Sequence, residues 1–305
     1  MSHNFYTVDA FTGEMFKGNP AAVVLADSKS NLSDQAQKTL AAEMNLPAMA
    51  FPLPKDGTFA TAKNFELRWL TPTAELPLCG HATLATSHVL FNEIGNSNAT
   101  LTFHTLSGEL HCNRAEGDTI QMDLPLFQVK APQEVGAAAH LGLPFEAVQK
   151  MRQTLESFGC VVEDAAYTPQ GKYCLFRVAT LPTDQLTRLP VKPSELRQSY
   201  DHDYTGSEAL IGAIITQKSA NSNYDFQSRV FLPWAGVDED PACGSAHCAL
   251  SNYWCGQLGG RTEFKAYQCC PGRGASVGIK LDNAKGRVRL TGQAVTVIRG
   301  SLLNI

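Results

Sequence analysis

The sequence predicts a mixed α/β (α+β) chain of two similar domains, each with many short strands and one central buried helix. Three observations carry this. The length of 305 residues matches two domains of roughly 150 residues each. Short runs rich in β-branched and aromatic residues, separated by Gly, Pro, Asn and Asp clusters, recur along the whole chain, which is how strands joined by tight turns read. Two sixteen-residue segments, ELPLCGHATLATSHVL (75–90) and EDPACGSAHCALSNYW (239–254), share seven identities at an offset of 164 residues.

In chain order, the strands are expected at residues 5–8, 21–25, 65–70, 101–105, 120–124, 173–178, 209–216, 226–231, 277–281, 288–290 and 294–298. Ser33 is placed to cap a helix whose Ala36, Leu40 and Met44 recur on one face. Residues 144–158 repeat that pattern with Val148, Met151, Leu155 and Phe158 before Gly159 stops it. The two repeated segments predict the helices that organise the fold. After each Cys-Gly pair they carry Ala, Leu, Cys, Val, Tyr and Trp with almost no charge, so each helix should be buried all round. A Glu-x-Pro-x-Cys-Gly approach is matched as well as the helix, which favours a duplicated domain over a chance likeness of two Ala-rich helices. The first domain is expected over residues 1–126, with the strand at 292–305 returning to it, and the second over 127–291.

Composition excludes several classes. Gly and Pro, at 24 and 16, are ordinary in number and charged residues are 18%, so neither disorder nor low complexity fits. A net charge of −4 argues against a phosphate-neutralising surface, and nucleic acid is not an expected partner. No apolar run approaches membrane-spanning length, and residues 1–11 do not read as a signal peptide. The chain therefore reads as cytoplasmic, without a membrane partner. Nine cysteines without a signal suggest reduced thiols; the sequons at Asn31 and Asn98 then carry no meaning. There is no CxxC, and the adjacent Cys269 and Cys270 lack companions at ligand spacing, so no metal is expected.

The chemistry concentrates at the two Cys-Gly helix starts. The first N–H groups of a helix have no intrahelical acceptor and carry partial positive charge, so they bind anions and favour a thiolate. Gly80 and Gly244 let a ligand approach the backbone. If the two starts face one another across an interdomain cleft, their amides clamp a small carboxylate with Cys79 and Cys243 on opposite faces of its α-carbon. That is a two-base racemase or epimerase, needing no cofactor: one thiolate removes the α-proton and the other thiol returns one. The plainer alternative is that both are small buried cysteines filling space. His81 follows in the first helical turn and is able to donate to a substrate oxygen or move a proton. Its counterpart is Ser245, and Asp240 adds a carboxylate. His88, His104, His111, His140 and His247 show no partner in sequence; a surface or satisfied core role is the better reading, with His247 placed to orient the site from one turn below Cys243.

The segments VDAFTGEMFKGNPAAVVL (8–25), AEMNL (42–46), LRWLTPTAELPLCGHATLATSHVLF (67–91), SGEL (107–110), FLPWAGVDEDPACGSAH (231–247) and GQAVTVIRGSL (292–302) together resemble the phenazine-biosynthesis isomerase-like (PhzF-like) family. The resemblance runs from about Tyr6 to Leu302. It implies the diaminopimelate-epimerase fold: two pseudo-symmetric domains, each a curved mixed sheet wrapped round a central apolar helix, with a cofactor-free site and often a homodimer. It also implies departures. The family's proton-shuttling glutamate sits in a Met-Asn-Leu-Ser-Glu-Thr stretch that here reads Met44-Asn45-Leu46-Pro47-Ala48-Met49, so Ala48 lines the substrate site without a carboxylate. The family's usual Thr before Gly-Ser-Ala is Cys243, the cysteine that epimerases of this fold use there. Cys270-Pro271-Gly272-Arg273-Gly274 stands where relatives resemble Ser-x-Arg-Gly-Gly, which displaces Arg273.

The expectation is thus a cofactor-independent isomerase of racemase or epimerase type, acting at the α-carbon of a small carboxylate or amino-acid derivative through Cys79 and Cys243. The rival is a phenazine-type isomerase, cyclase or dehydratase in which His81, Asp240 and Ser245 do the acid–base work. A third reading, motivated by Ala48, is a catalytically inactive binding protein.

Overall fold

The computed structural model describes residues 2–26, 32–131, 145–182, 184–200 and 210–303. Asn31, His140, the helix start at Pro144 and the strand start at Ala209 lie outside the described residues. The chain divides into two compact units, Met1–Leu124 with Arg289–Ile305, and Pro125–Val288.

In the first unit, β1 (Ser2–Ala10) pairs antiparallel with β2 (Asn19–Leu25) and with the final strand Ala294–Leu303. β2 runs parallel to β3 (Met49–Pro54), reached through helix α1 (Asp34–Met44). β3 is antiparallel to β4 (Asn64–Leu70), which takes the short β5 (Glu75–Leu76) antiparallel and, after helix α2 (Gly80–His88), β6 (Thr100–Thr105) parallel. β7 (Gly108–Arg114) and β8 (Ile120–Pro125) close the meander. A parallel pair needs a crossover, and both crossovers are helices. Ser33 caps α1 as its spacing predicts, its Oγ accepting the Ala36 N–H at 3.1 Å. Leu40 and Ala41 of α1 pack on Phe5, Val24, Met49, Phe51 and Leu70.

The second unit repeats the pairing scheme. β9 (Val162–Thr168) is antiparallel to β10 (Tyr173–Val178), and β10 is parallel to β11 (Gly212–Lys218). β11 is antiparallel to β12 (Phe226–Leu232), which takes the short β13 (Val237–Asp240) antiparallel and β14 (Glu263–Gln268) parallel; β15 (Ala275–Asp282) follows. Helix α3 (Phe145–Ser157) lays Val148, Met151 and Leu155 on Cys174, Phe176, Ala213 and Phe231. The short helices α4 (Gln185–Arg188) and α5 (Pro193–Ser199) lie in the crossover from β10 to β11, and α6 (Gly244–Gln257) is the crossover from β12 to β14. β16 (Arg287–Gly292) then carries the chain across the division between the units. Both units are therefore mixed sheets organised on one apolar helix, as the repeat predicts.

Helix α2 is buried along its whole length, which its polar residues permit because they bond within the helix. Thr83, Thr86 and Ser87 each donate to the carbonyl four residues back, at 2.6, 2.7 and 2.9 Å. α6 uses the same device with different residues: Ser251 donates to the His247 carbonyl and Cys248 to the Gly244 carbonyl at 3.4 Å, while the Trp254 indole bonds outside the helix, to Thr216 Oγ1 of β11 at 3.0 Å.

Candidate active site

Each central helix begins on a cysteine in extended conformation. Cys79 is the N-cap of α2 at φ −141°, ψ 100°, and Cys243 is the N-cap of α6 at φ −100°, ψ 102°. Both carbonyls accept the first helical bonds, from Thr83 N at 3.1 Å and His247 N at 3.2 Å. The side chain of residue i+4 reinforces each: Thr83 Oγ1 at 2.6 Å on Cys79, His247 Nδ1 at 2.8 Å on Cys243. Gly80 and Gly244 follow as first helical residues, both buried.

The residue two positions after each thiol touches it. In the first unit Cys79 Sγ lies 3.5 Å from His81 Nδ1. Burial pushes His81 down to about 4, so its imidazole is neutral near pH 7. In the second unit Cys243 Sγ lies 3.4 Å from Ser245 Oγ, and a residue that sequence reading did not single out joins them: Tyr173 OH is 2.7 Å from Ser245 Oγ and 3.8 Å from the sulfur. Gln268 Oε1 accepts the Cys243 N–H at 2.9 Å while its Nε2 donates to the Asp240 carbonyl. Asp240 is buried, and its Oδ1 accepts the Ala242 N–H at 3.4 Å. Cys243, Ser245 and Asp240 are thus brought together in one group, and Cys79 with His81 in another.

A helix start favours a thiolate by about 0.3–1 kcal/mol, but Cys243 is pushed well above the usual thiol range, first by burial and then by the charge of Asp240. Taking a charge out of water costs several kcal/mol, so burial outweighs the helix end and Cys243 rests as a thiol. Ala48 precedes β3 fully buried, and its carbonyl accepts the Ala22 N–H at 3.0 Å.

A second feature is repeated in both units. Arg68 of β4 holds Glu75 of β5 with two parallel bonds, Nε to Oε1 at 2.8 Å and a terminal nitrogen to Oε2 at 2.7 Å. Arg229 of β12 holds Glu239 of β13 with the same two bonds at 2.8 and 2.7 Å. Each clamp fixes the short strand from which the chain turns into its cysteine, with the rigid fork geometry that only Arg offers. Glu75 and Glu239 were visible as identities in the repeat; the arginines were not, because they enter from the neighbouring strand.

Three of the histidines noted in the sequence have side-chain partners, whereas His3 is buried with neither ring nitrogen hydrogen-bonded among the described residues. His88 meets Thr296 and Asn92 at 3.1 Å each, His104 pairs with Glu109 at 3.4 Å, and His111 meets Thr102 at 3.3 Å. His247 donates through Nδ1 to a carbonyl, which leaves Nε2 as a buried lone pair without a partner among the described residues. Among the described residues no group of three His, Cys, Asp or Glu is placed to hold a metal, and no helix is long and apolar enough to cross a membrane.

A family profile described as "Phenazine biosynthesis-like protein" matches residues 8–300. The phenazine biosynthesis-like domain-containing protein of Homo sapiens is 41% identical over 304 residues, 97% of this chain and 98% of its own. An "uncharacterized isomerase" of Halalkalibacterium halodurans is 38% identical over 99% of both chains. Among solved structures, a PhzF-family phenazine biosynthesis protein from Enterococcus faecalis superposes with a TM-score of 0.79 at 30% identity, covering 100% of both chains. A hydroxyproline epimerase from Agrobacterium vitis, at 12% identity and a TM-score of 0.56 over 99% of this chain and 92% of its own, shares the fold. With the profile spanning nearly the whole chain and relatives this similar along their full length, the chain belongs to the phenazine biosynthesis-like family.

Proposed function

We propose that the protein is a cofactor-independent isomerase that moves a proton at the α-carbon of a small carboxylate or amino-acid derivative, with Cys79 and Cys243 as the proton-transfer pair. An isomerase-type activity is supported by family membership and by a relative named as an isomerase. The two-thiol assignment rests on one observation: both central helices open on an extended cysteine in contact with a polar group two residues later, His81 or Ser245. In this reading one thiol takes the α-proton and the other returns one, while first-turn N–H groups, which a helix leaves without intrahelical acceptors, hold the carboxylate and the charge that develops on it.

The test is deuterium incorporation from heavy water at the α-carbon of a panel of small carboxylates, including D- and L-amino acids. Exchange that Cys79→Ser and Cys243→Ser each abolish supports the reading; exchange that survives both changes overturns it. A second reading has a specific observation behind it: His81 and Asp240 are buried beside the thiols. There His81, Asp240 and Ser245 perform the acid–base steps on a different substrate class, and the two Ser variants keep their activity.

A further inference from the structure

We propose that Tyr173 is a positioning residue for Cys243: by donating to Ser245 Oγ it turns the Ser245 O–H toward the sulfur and supplies the hydrogen bond that a thiolate there requires. The catalytic consequence rests on the reading of Cys243 as an acid–base thiol, but the arrangement concerns the thiol itself. Cys243 lies in a setting that opposes charge, buried and close to Asp240. A buried thiolate is tolerable only if hydrogen bonds meet it. Within reach of the sulfur are Ser245 Oγ at 3.4 Å and Tyr173 OH at 3.8 Å, the Asp240 carboxylate, whose hydrogen bond to the thiol favours the neutral form, and the Ala246 N–H of the first helical turn, which favours the charged form.

The direction of the hydroxyl chain follows from charge. Tyr173 OH and Ser245 Oγ are 2.7 Å apart, so one donates to the other. If Ser245 donated to Tyr173, the serine lone pairs would face the thiolate and only the longer 3.8 Å contact from Tyr173 OH would be left to meet it. If Tyr173 donates, the Ser245 proton is released to point at the sulfur. Burial holds Tyr173 well above its ordinary range, so it keeps its proton and remains a donor throughout. When Cys243 delivers its proton to carbon, the C–H bond forms and the S–H electron pair stays on sulfur. Both O–H bonds remain intact and only reorient.

Neighbouring elements hold this hydroxyl in place. Tyr173 opens β10 two residues after Gly171, where a Cβ would approach the Tyr173 ring to 2.7 Å. Gln268 of β14 already satisfies the Cys243 N–H. The titratable groups facing the sulfur are Asp240 from β13, Tyr173 from β10 and, one turn along α6, His247, which burial keeps neutral. The first unit differs at this position. Ala22 pairs with Met49 and Met49 with Leu70, as Cys174 pairs with Ala213 and Ala213 with Phe231, so Ala21 stands at the register position of Tyr173.

The test uses the full-length protein and a small haloacetamide, following labelling of Cys243 against pH by peptide mass mapping. Tyr173→Phe should lower the labelling rate at fixed pH about ten- to a hundredfold, the worth of one hydrogen bond to a charged sulfur, and move the pH midpoint upward; Ser245→Ala should do so at least as strongly. If Tyr173 mattered only for packing, its loss would loosen the site and labelling would rise. Unchanged or faster labelling in either variant overturns the proposal, as does a Cys243 that is never labelled in the unaltered protein. None of these readings depends on α-carbon exchange, so failure of the proposed function and failure of this inference remain distinguishable.

Discussion

Cys79 and Cys243 hold the same place on the same local scaffold, an extended N-cap residue reached from a short strand that an arginine fork holds by its glutamate. Their surroundings differ. Cys79 meets an imidazole from its own helix, whereas Cys243 meets a serine and a tyrosine, with a buried carboxylate close by. The clamps differ in the same sense: side chains of Arg68 and Glu75 are 33% and 26% exposed, those of Arg229 and Glu239 only 4% and 15%. The two units share the backbone geometry that presents a thiol and differ in the side chains around it. In the proposed reading, the second unit favours a thiol that gives a proton, and the first pairs its thiol with a neutral base.

The largest expected effect tests whether both members of this unequal pair are needed. Cys79→Ser and Cys243→Ser should each lower α-proton exchange by about 10²–10⁴-fold, the usual contribution of a positioned acid or base. The assignment of roles sharpens this. Single-turnover exchange of a substrate's own α-proton should survive best in the variant that keeps the proton-accepting thiol, so Cys243→Ser should retain more wash-out in one stereochemical direction than Cys79→Ser. Equal residual rates in both directions would remove the division of labour.

Next in size is the buried clamp. Arg229→Ala leaves Glu239 as a poorly solvated carboxylate without its partner, and strips donors from the Leu186 and Leu189 carbonyls. Breaking a buried pair from one side costs about 3–5 kcal/mol, measurable as a shifted denaturant midpoint. Replacing both partners, Arg229→Met with Glu239→Leu, should recover much of that loss. If the double variant is no better than the single, the pair does more than satisfy itself.

Much of the scaffold was legible in the sequence because its cues are local. Runs such as residues 21–25 and 226–231, rich in Val and Phe, became strands, and the uncharged segments after each Cys-Gly became buried helices. The strands that escaped carry no such local cue. β7, GELHCNR, and β14, EFKAYQ, are held by pairing with β6 and β15 rather than by propensity, and β3 contains Pro52 and Pro54, residues that argue against a strand. The same division holds at the site. Cys79, His81, Asp240, Cys243 and Ser245 sit within the repeated segments, so one alignment finds them. Tyr173 and Gln268 lie 70 and 25 residues from Cys243 and arrive on other strands, a proximity created by sheet topology. Which of the two thiols is held neutral was not legible, because a helix start is visible in sequence and the depth of its burial is not.

A third test separates the units by acid. His81 and His247 are both pushed down to about 4 from 6.5 by burial. A histidine with a depressed folded value contributes stability above the unfolded value that is lost as pH falls, because the unfolded chain then binds the proton first. Stability should therefore decline between about pH 6.5 and 4, by on the order of a few kcal/mol for the two together. The unit at fault can be found by exchange. Thr83 bonds the Cys79 carbonyl as His247 bonds the Cys243 carbonyl, so His247→Thr keeps the bond and removes the titration. The variant loses packing against Phe226, yet its stability should fall less steeply across this window. An unchanged slope in denaturant titrations would place the acid sensitivity elsewhere.

The smallest expected effect is at the exposed clamp. Arg68 is shared among Glu75, Asp34 at 2.8 Å and Gln37 at 3.2 Å, in a setting where solvent screens the attraction, and partly exposed pairs contribute about 0–1 kcal/mol. Arg68→Ala should therefore cost no more than about 1 kcal/mol, against the several expected for Arg229. Its signature is the pH dependence. The Arg68 hydrogen bonds hold Glu75 below the usual carboxylate range, so this contribution is present above the unfolded value and disappears as pH falls through the folded one. The variant and the unaltered protein should differ near pH 7 and converge in acid, and added salt should narrow the gap. A loss as large as that of Arg229→Ala, or one indifferent to salt and pH, would mean that the first clamp carries the turn into Cys79 as heavily as the second carries the turn into Cys243. The contrast between the two helix starts would then reside in the residues touching each thiol and not in the scaffold beneath them.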